Sequence, residues 1–507
     1  MRIAILLVAA SVISPASLLT QDGGVANAAG SITPADYIRR LGIIAHDSMA
    51  GRDTPSRGLD LTAAWVAREF ERFGLAPGGD GESFIQRYPL RELRLDVAQS
   101  GISLDGGTMW RAGQDVVKLF GPTELELESD RVVVVSGQDE LRREDLEQAV
   151  VFVVTPTDGD GRITSAGRRL LLGAFRQNAA AVIGIADVAD SVWARYERRT
   201  TRATIARPEP SGRAGRAILI VRDATVSDAL ARHGFDLAAA RATSPGAAQV
   251  LDIPITITLR PLESEGLSAP NTVGILEGGD PQLKNEYVVF SAHMDHVGTS
   301  SNGRCQAAGA DTICNGADDD ASGTVGIVQL ARAFTLLNTR PRRSIIFLTV
   351  SGEERGLWGS DYFATHPPVP VDQMVANVNA DMIGRNWTDT VVVIGKEHSD
   401  LGATLSRVNA AHPELNMTAI DDIWPNERFY FRSDHYNFAR RGVPVLFFFN
   451  GTHPQYHRPT DHVELIDEEK ASRIVMLVFY LGLEIANGAE RPKWNPQSYR
   501  QIVEEGR

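Results

Sequence analysis

From residue 263 to residue 487 the apolar positions come in two alternating kinds. Short runs at 287–291, 344–350, 375–379, 391–394 and 445–450 are almost continuously apolar, as expected of strands covered on both faces. Between them, at 322–337, 357–365, 401–411, 435–441 and 467–486, apolar residues recur at helical spacing. Strands that alternate with helices predict an α/β fold with a mostly parallel (mixed) central sheet and helices on both faces.

Upstream the rhythm changes twice. Thr33-Pro34 reads as an N-cap followed by proline at the first helical position. After the polar turn segment at 51–58, Leu59, Ala63, Val66, Phe70 and Phe73 mark one face of a helix that Gly74 ends. Residues 106–262 then supply strand-like runs at 131–136, 149–155, 180–185, 217–221 and 253–259, with helical stretches at 167–177 and 227–233. They read as a smaller inserted α/β or β-rich module with its own core and no cluster of His, Asp or Glu. A lid or packing role is expected of it. The expected division is 1–28 signal peptide, 29–105 first part of the main domain, 106–262 insert, 263–490 main domain and 491–507 polar tail.

Composition narrows the partners. The 507 residues carry a net charge of -13 and no basic block, which argues against nucleic acid. Arg2, the apolar run 3–19 and Ala26-Asn27-Ala28 have the order of a cleaved secretory signal, so a periplasmic or secreted protein without a stable membrane anchor is expected. Ser11, Ser14 and Pro15 interrupt that run, and it falls short of a span. The only cysteines, Cys305 and Cys314, share one loop; in an exported chain they are expected to pair, with free thiols or soft metal ligands as alternatives.

The candidate chemistry lies at strand ends. His293 and Asp295 follow the first strand of the main domain, Glu353 and Glu354 the second, and Asp381 the third; His457 lies just beyond the last. Asp318, Asp319 and Asp320 precede the first helix after the cysteine loop. A lone strand-end histidine, a Glu-Glu pair or an aspartate run is ordinarily structural or solvated. In a parallel sheet, however, strand carboxyl ends meet in one crevice, so these groups are predicted to converge there. Imidazole and carboxylate without thiolate suit zinc, with cobalt or manganese as alternatives.

The motifs SAHMDHVG, NGADDDASG, SGEERGLWGS, NADMIG, RSDHYNFARRGVP and YHRPTDHVE occur in this order. They resemble those of the co-catalytic di-zinc exopeptidase family that includes secreted bacterial aminopeptidases and glutamate carboxypeptidase. The insert resembles a protease-associated domain. The resemblance implies two zinc ions, one held by His293 and Asp381, the other by Glu354 and His457, with Asp319 bridging. It makes Glu353 the general base and Asp295 the residue that orients His293. Tyr456 would donate to the oxyanion, as in some relatives; others lack a tyrosine there. His296, His435, His453 and His462 are expected as loop histidines or supporting donors, and Asp434 as structural. Peptide hydrolysis from the amino end is the implied activity. A carboxypeptidase, with Arg385, Arg428 or Arg432 reading a carboxylate, is the alternative, followed by a catalytically inactive binding protein.

Overall fold

The computed structural model describes residues 15–143, 146–208, 215–242 and 248–506. Residues 1–14, where the expected export signal begins, lie outside them. The chain forms two compact units: residues up to Tyr88 together with those from Ser268 onward, and Pro89–Leu267.

The first unit is built on the part of strand β1 (Pro261–Leu276) from Ser268 onward and on β2 (Tyr287–His293), β3 (Ser344–Val350), β4 (Met374–Ala380), β5 (Thr390–Ile394), β6 (Thr418–Ile420) and β7 (Val445–Phe449). Their order across the sheet is β6–β5–β7–β4–β2–β3–β1. The central pairs β3/β2, β2/β4 and β4/β7 are parallel, whereas β5 runs antiparallel to β7 and β1 antiparallel to β3. The mixed, mostly parallel sheet expected from the sequence is therefore present.

Period-two alternation explains why both faces are covered. Val288, Phe290, Ala292, Ile345 and Phe347 point to one core and Val289, Ile346, Leu348 and Val350 to the other. The helices α1 (Pro15–Gly30), α2 (Pro34–Ile44), α3 (Arg57–Arg72), α4 (Gly323–Thr335), α5 (Trp358–Thr365), α6 (Leu401–Ala411), α7 (His435–Ala439) and α8 (Glu468–Asn487) complete the unit. Residues of α2, α3, α4, α6 and α8 pack on the first core; those of α5 and α7 pack on the second. Thr33 caps α2, accepting from Asp36 N at 3.2 Å, and Asp467 caps α8, accepting from Lys470 N at 2.9 Å.

Three features depart from expectation. β1 is long, but its polar Glu-Ser-Glu-Gly stretch hides it from a hydrophobicity pattern. β6 has only three residues, too few to show a period. The segment from residue 491, expected as a polar surface tail, folds back: Trp494 Nε1 donates to Gly442 O at 2.8 Å, and Ile502 and Val503 are buried.

The unit Pro89–Leu267 contains an eight-stranded mixed sheet. Its middle strands Leu125–Val135, Val150–Val154, Ala181–Ile185 and Ala217–Val221 pair in parallel. Separate apolar clusters cover its two faces. Among the described residues no group of metal-holding geometry lies in it.

Candidate metal centre

All four central strands deliver their carboxyl ends to one edge of the sheet. β2 ends on His293, with Asp295 and His296 in the next three residues, and Glu353 and Glu354 follow β3 in a single 3-10 turn. Asp381 follows β4, and His457 lies in the loop after β7. The aspartate run occupies the irregular turn Ala317–Ser322 that leads into α4. Parallel register between β2 and both its neighbours is what brings these loops together.

Asp319 stands at the centre. Its Oδ1 is 3.3 Å from His293 Nε2, while its Oδ2 is 3.2 Å from His457 Nε2 and 3.5 Å from His296 Nδ1. His293 Nε2 also lies 3.5 Å from Asp381 Oδ1. On the opposite side, Glu354 Oε1 is 3.0 Å from His457 Nε2 and 2.9 Å from His296 Nδ1. The two oxygens of one carboxylate thus face two separate imidazole–carboxylate sets. Asp319 Oδ2 and Glu354 Oε1 are buried with no hydrogen bond among the described residues, although nitrogens stand beside both. Atoms that close without a hydrogen bond flank a common point, as donors around a cation do.

The electrostatics agree. Burial opposes the charge on Glu354 and Asp319 adds repulsion, yet His296 and His457 hold its carboxyl down at about 2. Burial likewise opposes a proton on His457, but Asp319 and Glu354 push it up to about 10. His293 is raised well above its ordinary value despite burial, through Asp381 and Glu353. Positive charge is favoured at the centre of this carboxylate ring. Burial pushes Glu353 well above the usual carboxylate range; His293 pulls the other way, and Asp434, Glu354 and Asp381 add to the rise. Asp434, buried beside this cluster, is pushed to about 7, mainly by burial. Burial also raises the Tyr456 phenol, and the acidic ring adds to it.

Supporting residues hold the ring in place. Asp295 is fully buried; its Oδ2 accepts from Thr54 Oγ1 at 2.8 Å and its Oδ1 from Glu353 N at 3.2 Å. The expected contact to His293 runs through the main chain instead. His293 Nδ1 is 3.1 Å from Asp295 O and 3.7 Å from the carboxylate Oδ1. Asp320 accepts from the backbone N–H groups of His293, Gly323 and Met382, so its oxygens are committed to the turn. Ser433 Oγ donates to Asp381 Oδ2 at 2.8 Å, and Asp461 Oδ2 accepts from Asp318 N and Asp319 N at 3.0 and 3.3 Å.

Arg52 is fully buried. It donates to the carbonyl oxygens of Met294, Ile44, Asn315 and Gly316 at 2.8, 2.9, 2.5 and 3.0 Å. It therefore ties the loop after β2 to the loop that carries the aspartates. Cys305 and Cys314 are joined, and in their loop Arg304 donates to the Glu354 carbonyl oxygen.

The structure brings together His293, Asp319, Glu354, Asp381 and His457, with Asp295 behind them. Glu353 and Tyr456 join His293, Asp319 and Asp381 in lining one cavity, whose wall continues through Met382, Phe429, Arg432, Phe447 and Phe449. Arg385 instead donates to Gln455 Oε1 at 2.9 Å, and Arg428 lies over the Phe431 ring. His435 stacks on Phe447, and His453 lies 3.4 Å from Asp318. His296, expected as a loop histidine or supporting donor, has its Nδ1 2.9 Å from Glu354 Oε1; its position next to SAHMD was the available signal for that proximity. Arg52, Thr54, Ser433 and Asp461 carried none, because each sits in a turn where a polar residue is ordinary.

Residues 271–482 match the profile described as Peptidase family M28. A probable zinc metalloprotease of Leptosphaeria maculans is 29% identical over 181 residues, 30% of this chain and 41% of that protein. Aminopeptidase YwaD of Bacillus subtilis is 28% identical over 238 residues, 45% of this chain and 47% of that protein. The matches thus span less than half the length of either relative. Among solved structures, the aminopeptidase from Aneurinibacillus sp. strain AM-1 has a TM-score of 0.51 over 92% of this chain and 96% of that one. At 16% identity that likeness is one of fold.

Proposed function

We propose, from the match of residues 271–482 to the profile of Peptidase family M28, that this protein is an exported zinc-dependent exopeptidase, an aminopeptidase that removes N-terminal residues from peptides. The observation that carries the reading is the split of Asp319, one oxygen toward His293 and the other toward His457. The donors fit zinc: imidazole nitrogen and carboxylate oxygen, with buried oxygens lacking hydrogen bonds at the point of convergence.

In this reading His293 and Asp381 would hold one ion and Glu354 and His457 the other, with Asp319 serving both. Zinc held there would supply the Lewis acidity for activating a water and polarising the scissile carbonyl. The residues of the chain do the remainder. Glu353, whose proton affinity burial raises, takes the proton of the attacking water on its carboxylate and delivers it to the leaving amine nitrogen. Asp295 fixes the start of that turn by accepting from Glu353 N. Tyr456 stays protonated and can donate its phenolic hydrogen to the carbonyl oxygen as charge develops there.

The unit Pro89–Leu267, with a core on each sheet face, is read as a protease-associated-like insert. Export rests on the N-terminal pattern and on the joined cysteines.

One observation favours the carboxypeptidase alternative: of the three candidate arginines, Arg432 lines the cavity. Zinc-loaded protein assayed on matched peptides with free, N-acetylated and C-amidated ends separates the two. Loss of cleavage on acetylation alone supports the aminopeptidase. Loss on amidation alone moves the reading to the carboxypeptidase, and a protein that binds no zinc revives the inactive binding protein.

A further inference from the structure

His296 carries more than the supporting role expected of a loop histidine. Four donor atoms, His296 Nδ1, His457 Nε2, Asp319 Oδ2 and Glu354 Oε1, enclose one point. The four nitrogen–oxygen separations among them are 2.9, 3.0, 3.2 and 3.5 Å. A tetrahedral zinc ion with bonds of ~2.0–2.1 Å keeps its donors roughly 3.3 Å apart, so these atoms already stand near the edges of such a tetrahedron. Both ring nitrogens of His296 are buried and, among the described residues, without a hydrogen bond. The ring is also held in place. His296 N donates to Arg52 O at 3.2 Å, and a side chain on Gly316 would begin 2.6 Å from the ring atoms Cγ and Cδ2. Glycine at 316 is what leaves the ring its space.

The other position differs. His293 Nε2, Asp319 Oδ1 and Asp381 Oδ1 face it, while His293 Nδ1 faces Asp295 O and Asp381 Oδ2 accepts from Ser433. Three protein donors leave room for a water or substrate atom; four close a site.

We propose that His296 is a direct metal ligand, so that one of the two metal positions has four protein donors and binds tightly, while the His293 position is open and exchanges readily. The proposal rests on the two-metal reading above. It assigns unequal affinity to the two ions and places substrate and water at the open one.

Cobalt titration of the stripped full-length protein, read by elemental analysis and visible absorption, tests it. Wild type should fill in two steps, with the first equivalent retained through dialysis. His296→Ala should lose that retained equivalent, its affinity falling by roughly 100-fold or more, beyond the 10–100-fold typical of a supporting partner. His296→Cys should recover it and add a thiolate-to-cobalt charge-transfer band. A wild-type-like titration of His296→Ala, full recovery by His296→Gln, or a cobalt-loaded His296→Cys without the thiolate band would each overturn the ligand role and leave the two-metal reading standing. A wild type that binds no cobalt would overturn both.

Discussion

Arg52→Met is the substitution through which the account of loop positioning is most exposed. The side chain is fully buried, and its guanidinium donates to four main-chain carbonyls, one of which, Gly316 O, also accepts from Ala321 N. The variant therefore leaves the carbonyls of Ile44, Met294 and Asn315 without this donor. Losing a charged donor costs about 1.5–3 kcal/mol per bond, or roughly 4–9 kcal/mol in total. Removing the buried charge returns part of this, because burial already works against it; Asp319 and Asp295 offset that only in part. A net loss of about 3–5 kcal/mol results, the range seen when buried ionic networks are broken. Since the carbonyls belong to the segments before His296 and Asp318, metal affinity should fall as well. Urea unfolding of metal-free protein measures the first effect and zinc titration the second. Arg52→Lys should recover only part of both, because one ammonium cannot span four carbonyls. Stability within about 1 kcal/mol of wild type, together with unchanged zinc affinity, would refute the claim that Arg52 joins the two loops.

Glu353→Gln should lower kcat by about 10²–10⁴-fold while metal content stays at the wild-type level; a kcat within threefold of wild type would remove Glu353 from proton transfer. His435 is buried against Phe447 and held down at about 3, chiefly by burial. Between that value and the unfolded value of about 6.5 the unfolded chain binds the extra proton, so stability is present above that window and lost as pH falls through it. His435→Phe should therefore gain about 2 kcal/mol relative to wild type on going from pH 8 to pH 5; parallel stability curves for the two proteins would contradict this. Phe290 is fully buried between Phe334 and Phe347, and Phe290→Ala should cost about 3–5 kcal/mol in denaturant unfolding with cleavage chemistry unchanged in the folded fraction.

What could be read from the sequence followed from periodicity. β2, β3, β4 and β7 are runs of buried residues ended by abrupt polar groups, so both the strands and the convergence of His293, Glu354, Asp381 and His457 could be anticipated. β6 and β1 could not, the one too short and the other too polar along half its length. Arg52 reads as a solvent-facing turn residue because nothing local shows that three carbonyls from distant segments, Met294, Asn315 and Gly316, surround it together with Ile44 O. His296 lay beside a recognised pair, but only the fold shows that its ring turns toward Glu354, where Gly316 makes room. The final segment looked like a tail because Trp494, Ile502 and Val503 are scattered apolar residues in a polar stretch; tertiary packing buries Ile502 and Val503 and ties Trp494 to Gly442 O.

The most direct measurement is hydrolysis of a free-amine peptide by chelator-stripped protein as zinc is returned in known equivalents. The stripped protein should not cleave, and the rate should rise to its plateau at two equivalents. Cleavage without metal, or a plateau reached at one equivalent, would contradict the two-metal reading.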